Sequence, residues 1–236
     1  MLDPAGRVAM VSGANRGIGL AVARCLHDRG YTLSLGARDP KSFDRIGGFE
    51  PGRTLVHRYD AAEAGAAEAW VAATAARFGR IDALVNNAGI ARMAQVEDAD
   101  EANLDAMWLV NVKAPMRMTR AALPHLRKSG SGRIVNVSSL SGKRVRNENA
   151  GYAMSKFALM ALTHATRRIG WDDGVRVTAV CPSFVATDLT AGVTKVARTE
   201  MIDAADLAEI VALALALPNT AAIAELLVNC RLEDML

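Results

Sequence analysis

Residues 8–19, Val8-Ala9-Met10-Val11-Ser12-Gly13-Ala14-Asn15-Arg16-Gly17-Ile18-Gly19, decide the fold. A short apolar run of strand length ends in a glycine-rich turn, and a helical pattern opens directly behind it. In that order Gly13 allows the tight turn, Gly17 lets a pyrophosphate approach the backbone, and Gly19 lets helix and strand pack closely. The helix N-terminus offers unpaired N–H groups to an anion. A dinucleotide fits such a turn, with Asn15 and Ile18 among the residues beside it. The spacing is Gly-x3-Gly-x-Gly, unlike the more general Gly-x-Gly-x2-Gly fingerprint, and no Gly-Lys-Ser/Thr follows as in a Walker loop. Glycine triplets also serve plain turns, so the weight comes from the position of this one at the first strand-to-helix junction.

Outward from that stretch the same alternation continues. Strands are expected near Arg7–Ser12, Thr32–Gly36, Thr54–His57, Ala83–Asn86, Arg133–Ser138, Arg176–Val180 and Leu226–Asn229. Helices are expected near Ile18–Arg29, Ala62–Phe78, Ala102–Arg127, Gly151–Trp171 and Ala205–Leu217, with a short one around Pro40–Ile46. Pro124 either kinks the last turn of the third long helix or ends it, and Gly174 is a stop before the sixth strand. Strand and helix alternating in this way argue βαβ units. The expectation is one α/β domain over residues 1–236, Rossmann-like and doubly wound, with a mainly parallel seven-stranded sheet and helices on both faces.

Composition narrows the function. With 236 residues and 51% hydrophobic against 22% charged, the chain has a large core to bury, which excludes a disordered or disulfide-stapled scaffold. The net charge of +3 is dispersed along the chain and aromatics are only 5%, so no basic stripe or stacking platform for nucleic acid emerges. Cys25, Cys181 and Cys230 lie far apart, and His27, His57, His125 and His164 match no metal spacing. No metal site is expected. The run Ile210–Leu217 is too short to span a bilayer and the first residues do not read as a signal peptide. A cytoplasmic protein without membrane or nucleic-acid partners is expected.

Further motifs stand in order along the chain: Asn86-Asn87-Ala88-Gly89, Asn111 in Asn-Val-Lys-Ala-Pro, Ser139 in Asn-Val-Ser-Ser-Leu-Ser-Gly, and Tyr152-x3-Lys156. A looser one, Pro182-Ser183-Phe184-Val185-Ala186-Thr187, has Ser183 where the matching pattern has glycine. Together with the glycine turn, this set resembles the short-chain dehydrogenases/reductases in their short single-domain branch, over essentially the whole chain.

Tyr152 and Lys156 are four residues apart and share a helix face. A nearby ammonium favours the phenolate of a tyrosine whose ordinary pKa is about 10, suiting Tyr152 as the acid or base that exchanges a proton with the substrate oxygen. Ser139, at the carboxyl edge of the sheet where such folds bind ligands, orients that oxygen, with Ser138 its competitor. The resemblance implies that Lys156 also binds the nicotinamide ribose and that Asn111 holds a water passing protons from Lys156 to solvent. It further implies cofactor contacts from Asn86, Ala88, Gly89, Pro182, Val185 and Thr187. Asp60 matches a position near the adenine, or is an ordinary helix cap.

The second strand ends Leu35-Gly36-Ala37-Arg38. Ala37 stands where an acidic residue would bind a free ribose 2′-OH, and Arg38 with Arg16 resembles the pattern that receives a 2′-phosphate. NADP(H) is therefore expected over NAD(H), although Asp39 would reverse this if it occupied the preceding place. The loop Lys143-Arg144-Val145-Arg146-Asn147-Glu148-Asn149 either meets an anionic substrate or is simply solvated. Residues 188–200 are short for a substrate lid, and Ala224–Leu236 lacks the Val-Asp-Gly-Gly-like ending common in the family. The helices also carry more apolar residues (Met107, Trp108, Met116, Met118, Phe157, Leu159, Met160, Leu162) than one buried stripe needs, so a homo-oligomer is expected, a dimer before a tetramer. The expected activity interconverts a ketone or aldehyde and its alcohol with NADP(H). The alternatives are an NAD-linked hydroxy-acid or sugar dehydrogenase and a non-catalytic sensor of NADP(H).

Overall fold

The structure, a computed structural model of the chain, describes residues 1–232, so the last four residues of the expected domain and C-terminal stretch lie outside the described residues. Seven strands form one sheet: β1 (Val8–Ser12), β2 (Thr32–Ala37), β3 (Thr54–Arg58), β4 (Ala83–Asn86), β5 (Arg133–Val137), β6 (Arg176–Pro182) and β7 (Glu225–Val228). Their order is β3-β2-β1-β4-β5-β6-β7, and every pairing is parallel. The winding reverses between β1 and β4, where Val11 is in register with Leu35 on one side and Val85 on the other. Such a switch point opens a crevice at the carboxyl ends of the strands.

The helices are α1 (Gly17–Asp28), α2 (Ser42–Ile46), α3 (Ala66–Phe78), α4 (Ala102–Trp108), α5 (Ala114–Lys128), α6 (Ala150–Gly170) and α7 (Ala204–Ala216). Period-two alternation divides each strand between two cores. Ala9, Val11, Val85 and Val135 pack with Val22 and Leu26 of α1 and with Leu207, Val211 and Leu215 of α7. Met10, Leu84 and Ile134 face the other way, against Trp70 of α3 and Met118 and Leu126 of α5. Fully burying a residue of this size contributes about 1.5–3 kcal/mol. Trp70 also explains Gly36: a Cβ there would lie 2.6 Å from the indole, whose Nε1 donates to Ser34 Oγ at 2.8 Å.

Two expectations about the helices are corrected and one is narrowed. The span Ala102–Arg127 is not one helix: a π-helical turn, Leu109–Lys113, separates α4 from α5 and contains Asn111. Of the two readings of Pro124, only termination is excluded, since α5 runs on to Lys128; the missing N–H removes one ladder bond near its end while the buried side of the helix keeps its packing. And α3 begins at Ala66, not Ala62, because Asp60 Oδ1 accepts from Ala62 N at 3.0 Å and Gly65 enters the helix in a left-handed conformation.

Candidate active site

The glycine turn and the segment after β4 are stitched together under the crevice. Ser12 Oγ accepts from Asn87 N and Ala88 N, each at 3.0 Å, while Asn87 Nδ2 donates to the carbonyls of Ser12 at 2.9 Å and Gly13 at 3.2 Å. Gly13 and Gly17 have φ of 64° and 51°, which L side chains adopt rarely. A Cβ on Gly19 would collide with the Gly13 carbonyl and Asn87 Nδ2. The first turn of α1 holds no acidic residue, so nothing on this helix opposes a phosphate at its positive end. The cradle fits a dinucleotide pyrophosphate.

At the C-terminal end of β2, Ala37 is buried and Arg38 exposed. Asp39 closes its own turn, accepting from Lys41 N at 3.1 Å, and Asn15 Nδ2 donates to Ser42 Oγ at 3.2 Å. Asp60 serves as the turn cap described above. Arg16 reaches across the crevice, its Nη1 3.3 Å from Asp188 Oδ2, with both side chains mostly exposed. Thr187, just before it, lies against Gly17, where a Cβ would be 3.2 Å from the threonine methyl.

Asn86, expected to line the adenosine side, has its side chain bonded inside the fold. Its side chain is buried below the crevice, donating to Asn136 Oδ1 at 2.8 Å and Thr119 Oγ1 at 3.3 Å, and Asn136 donates in turn to Thr163 Oγ1 at 2.8 Å. This polar ladder joins α5 to α6 through the sheet. Ala88 and Gly89 remain beside the cradle, and a Cβ on Gly89 would lie 3.8 Å from Lys156 Nζ.

The helix bearing Tyr152 and Lys156 is fixed at its start by Asn149, whose Oδ1 accepts from Tyr152 N and from Ala94 N at 3.2 Å each. Lys156 is buried, its Nζ donating to Val137 O at 3.1 Å and lying 5.7 Å from the Tyr152 ring centroid. Burial brings the Lys156 ammonium down to about 8. The Tyr152 phenol is pushed up by burial, against which a hydrogen bond to Ser139 pulls down. The expectation of a phenol lowered by the ammonium is thus overturned for these residues on their own, because desolvation of the phenolate outweighs the stabilising contacts.

Ser139 Oγ accepts from Ser141 N at 3.0 Å, capping a 3₁₀ turn over Leu140–Gly142. Its competitor Ser138 is buried, donating to Lys156 O at 3.4 Å, which leaves Ser139 as the serine beside Tyr152. Asn111 takes its place on the π turn: Oδ1 accepts from Ile90 N, and Nδ2 donates to Ile90 O, both at 2.9 Å, and to Ser155 Oγ at 3.1 Å. Its amide holds the strand-end segment after Gly89. Pro182 ends β6, Val185 is buried and forms a bridge to Ile202, and Thr187 follows. Ser12, Asn87 and Ser155 were not among the expected site residues. The asparagine doublet was visible, but which asparagine faces the turn depends on the pleat of β4.

A buried lysine, a phenol raised by burial and a capped serine converge at the carboxyl edge beside the glycine cradle, a combination able to pass a proton to or from a bound oxygen. Comparison with known proteins identifies the family. Residues 7–198 match the family model described as short chain dehydrogenase. The chain is 42% identical over 231 residues to an agropine synthesis reductase of Rhizobium rhizogenes, covering 97% of this chain and 53% of the relative; it thus spans about half the length of that protein. It is similar to an alcohol dehydrogenase from Thermococcus sibiricus complexed with 5-hydroxy-NADP, at TM-score 0.85 and 29% identity, covering 94% and 95% of the two chains. A 3-ketoacyl-(acyl-carrier-protein) reductase from Brucella melitensis complexed with NADH gives TM-score 0.87 at 28% identity, covering 96% and 98%. Motif order, parallel sheet, cradle and these likenesses converge on one conclusion: the chain belongs to the short-chain dehydrogenases, a family of oxidoreductases.

Proposed function

We propose that this chain interconverts a ketone or aldehyde and its alcohol with NADP(H), with Tyr152 exchanging the proton. The observation that carries the reading is the placement of Tyr152, hydrogen-bonded to Ser139, one helical turn from a buried Lys156 at the mouth of the glycine cradle. A nicotinamide dinucleotide bound there would supply or accept the hydride. Gly13, Gly17, Ile18 and Gly19 would hold its pyrophosphate, with Asn15, Ala37, Arg38 and Asp60 toward the adenosine. Ala88, Gly89, Pro182, Val185 and Thr187 would enclose the rest.

In reduction, Ser139 Oγ orients the substrate oxygen and Tyr152, neutral because burial raises its pKa, donates its proton. Lys156 would hold the ribose hydroxyls of a bound nicotinamide cofactor, and the proton given up by Tyr152 would be replaced from solvent by way of Lys156. Asn111, whose side chain is bonded to Ile90 and Ser155, would hold a water that passes protons from Lys156 to solvent. In oxidation the same proton path runs backwards.

The preference for NADP(H) is supported by Arg38 beside Ala37, by Asp39 being committed to its own turn, and by Arg16, which would exchange Asp188 for the 2′-phosphate. Fluorescence titration with NADPH and NADH tests it: tighter NADPH binding is expected, and equal or tighter NADH binding would refute the preference. A homodimer is part of the proposal, supported by the exposed Trp108, Met116, Met154 and Phe157 on α4, the start of α5 and α6. Among the described residues no helix is long and apolar enough to cross a membrane, and the proposed partner is a small carbonyl or alcohol in the cytoplasm.

A further inference from the structure

The turn that presents Ser139 is anchored by residues far from it in sequence. Within the turn, Ser139 Oγ accepts from Ser141 N, and Lys143 N and Arg144 N both donate to Leu140 O, at 2.9 and 3.1 Å. On its inner side the turn lies against α6, where a Cβ on Gly142 would be 2.8 Å from the Lys156 carbonyl. On its outer side Lys143 Nζ lies 2.7 Å from Glu225 Oε2. Glu225 is the first residue of β7, and its other oxygen is 2.7 Å from His164 Nε2 on α6.

The Lys143 and Glu225 side chains are only 22% and 19% exposed, so the pair is shielded from the screening that leaves open surface pairs worth little. Lys143 and His164 together hold the Glu225 carboxyl below its ordinary range despite its partial burial. The same strand steadies the opposite wall. Ser183 N donates to Val228 O at 2.8 Å, and Cys230 N donates to Ser183 Oγ at 3.0 Å. Among the described residues β7 is the last strand of the sheet, hydrogen-bonded only to β6, and both the serine turn and the Pro182–Ser183 corner are tied to it.

We infer that Lys143 and Glu225, with His164 fixing the second carboxylate oxygen, are positioning residues that hold the Ser139 turn in register with Tyr152. This rests on the reading of Ser139 as the residue that orients the substrate oxygen. It also gives Lys143 a role that is neither of those expected for its loop, since its charge meets Glu225 instead of substrate or bulk water.

The test compares Lys143→Met, Glu225→Gln, the conservative Lys143→Arg and a Ser139→Ala control in the full chain. Amide hydrogen exchange is followed at Ser141, Lys143 and Arg144, with Val11 in β1 as an internal reference. NADPH affinity and the kcat and KM for 2,3-butanedione are measured alongside. Lys143→Met and Glu225→Gln are expected to speed exchange of the turn amides about tenfold or more while Val11 is unchanged. They should lower kcat about tenfold, with NADPH affinity intact, because a misplaced orienting group costs rate more than binding. Lys143→Arg should restore both. Unchanged exchange in the turn of both variants overturns the inference whether or not the dione is reduced. Full turnover in Ser139→Ala would instead remove the reading of Ser139 while leaving the exchange result standing.

Discussion

At the scale of the residue, the proposed chemistry rests on how two neighbouring groups on α6 respond to burial. Lys156, brought down to about 8, is charged below that pH and neutral above it, whereas Tyr152, with its phenol raised, stays protonated through the same range. The reductive kcat/KM should therefore hold up to about pH 8 and fall beyond it as Lys156 loses its proton, which a pH–rate profile checks; a profile rising through pH 8–9 would contradict the assignment. Arg16 supplies a second prediction. Its exposed pair with Asp188 is of a kind worth about 0–1 kcal/mol, so Asp188→Asn should tighten NADPH by no more than about fivefold and leave NADH unchanged, read by parallel titrations.

Much of this was legible one residue at a time: Gly13, Gly17 and Gly19, and the Tyr152–Lys156 spacing, act through local geometry that the sequence states directly. The sign of the Tyr152 shift was not, because desolvation depends on what closes over the phenol from distant segments. The division of labour between Asn86 and Asn87 was equally hidden, since adjacent residues at a strand end point to opposite faces and only the register chooses between them.

At the scale of the element, α3 and β2 meet where Trp70 fills the space left by Gly36. Trp70→Ala would open a cavity in a fully buried site and leave Ser34 Oγ without its indole donor; a loss of about 3–5 kcal/mol is expected in denaturant unfolding, and a loss under about 1 kcal/mol would contradict this packing. Strands were legible because both-face burial writes them as short apolar runs between turn residues. The π turn at Asn111 was not, since one shifted ladder bond leaves no mark in the hydrophobic periodicity, and Pro115, which follows the turn as α5 begins, is as compatible with a plain helix start. The Lys143–Glu225 pair joins residues more than eighty positions apart, which no local pattern reports.

At the scale of the whole molecule, a parallel sheet with its switch point between β1 and β4 brings the cradle, the Ser139 turn and α6 to one edge, so that motifs scattered from Gly13 to Thr187 come together in the proposed site. The outer surface of α4 to α6 leaves Met154 and Phe157 half exposed, and a second copy of the chain would cover them. Light scattering at micromolar concentration should give a dimer, with Phe157→Glu shifting it to monomer; a wild-type monomer would contradict that part of the account.

The proposed activity depends on Tyr152 moving the proton in an NADPH-linked carbonyl reduction. The most direct measurement is loss of reduced-nicotinamide absorbance with NADPH across aldehydes, ketones, keto acids and quinones, wild type beside Tyr152→Phe. Turnover with at least one carbonyl is expected to disappear in Tyr152→Phe while NADPH affinity is largely kept; turnover retained in that variant would contradict the role of Tyr152.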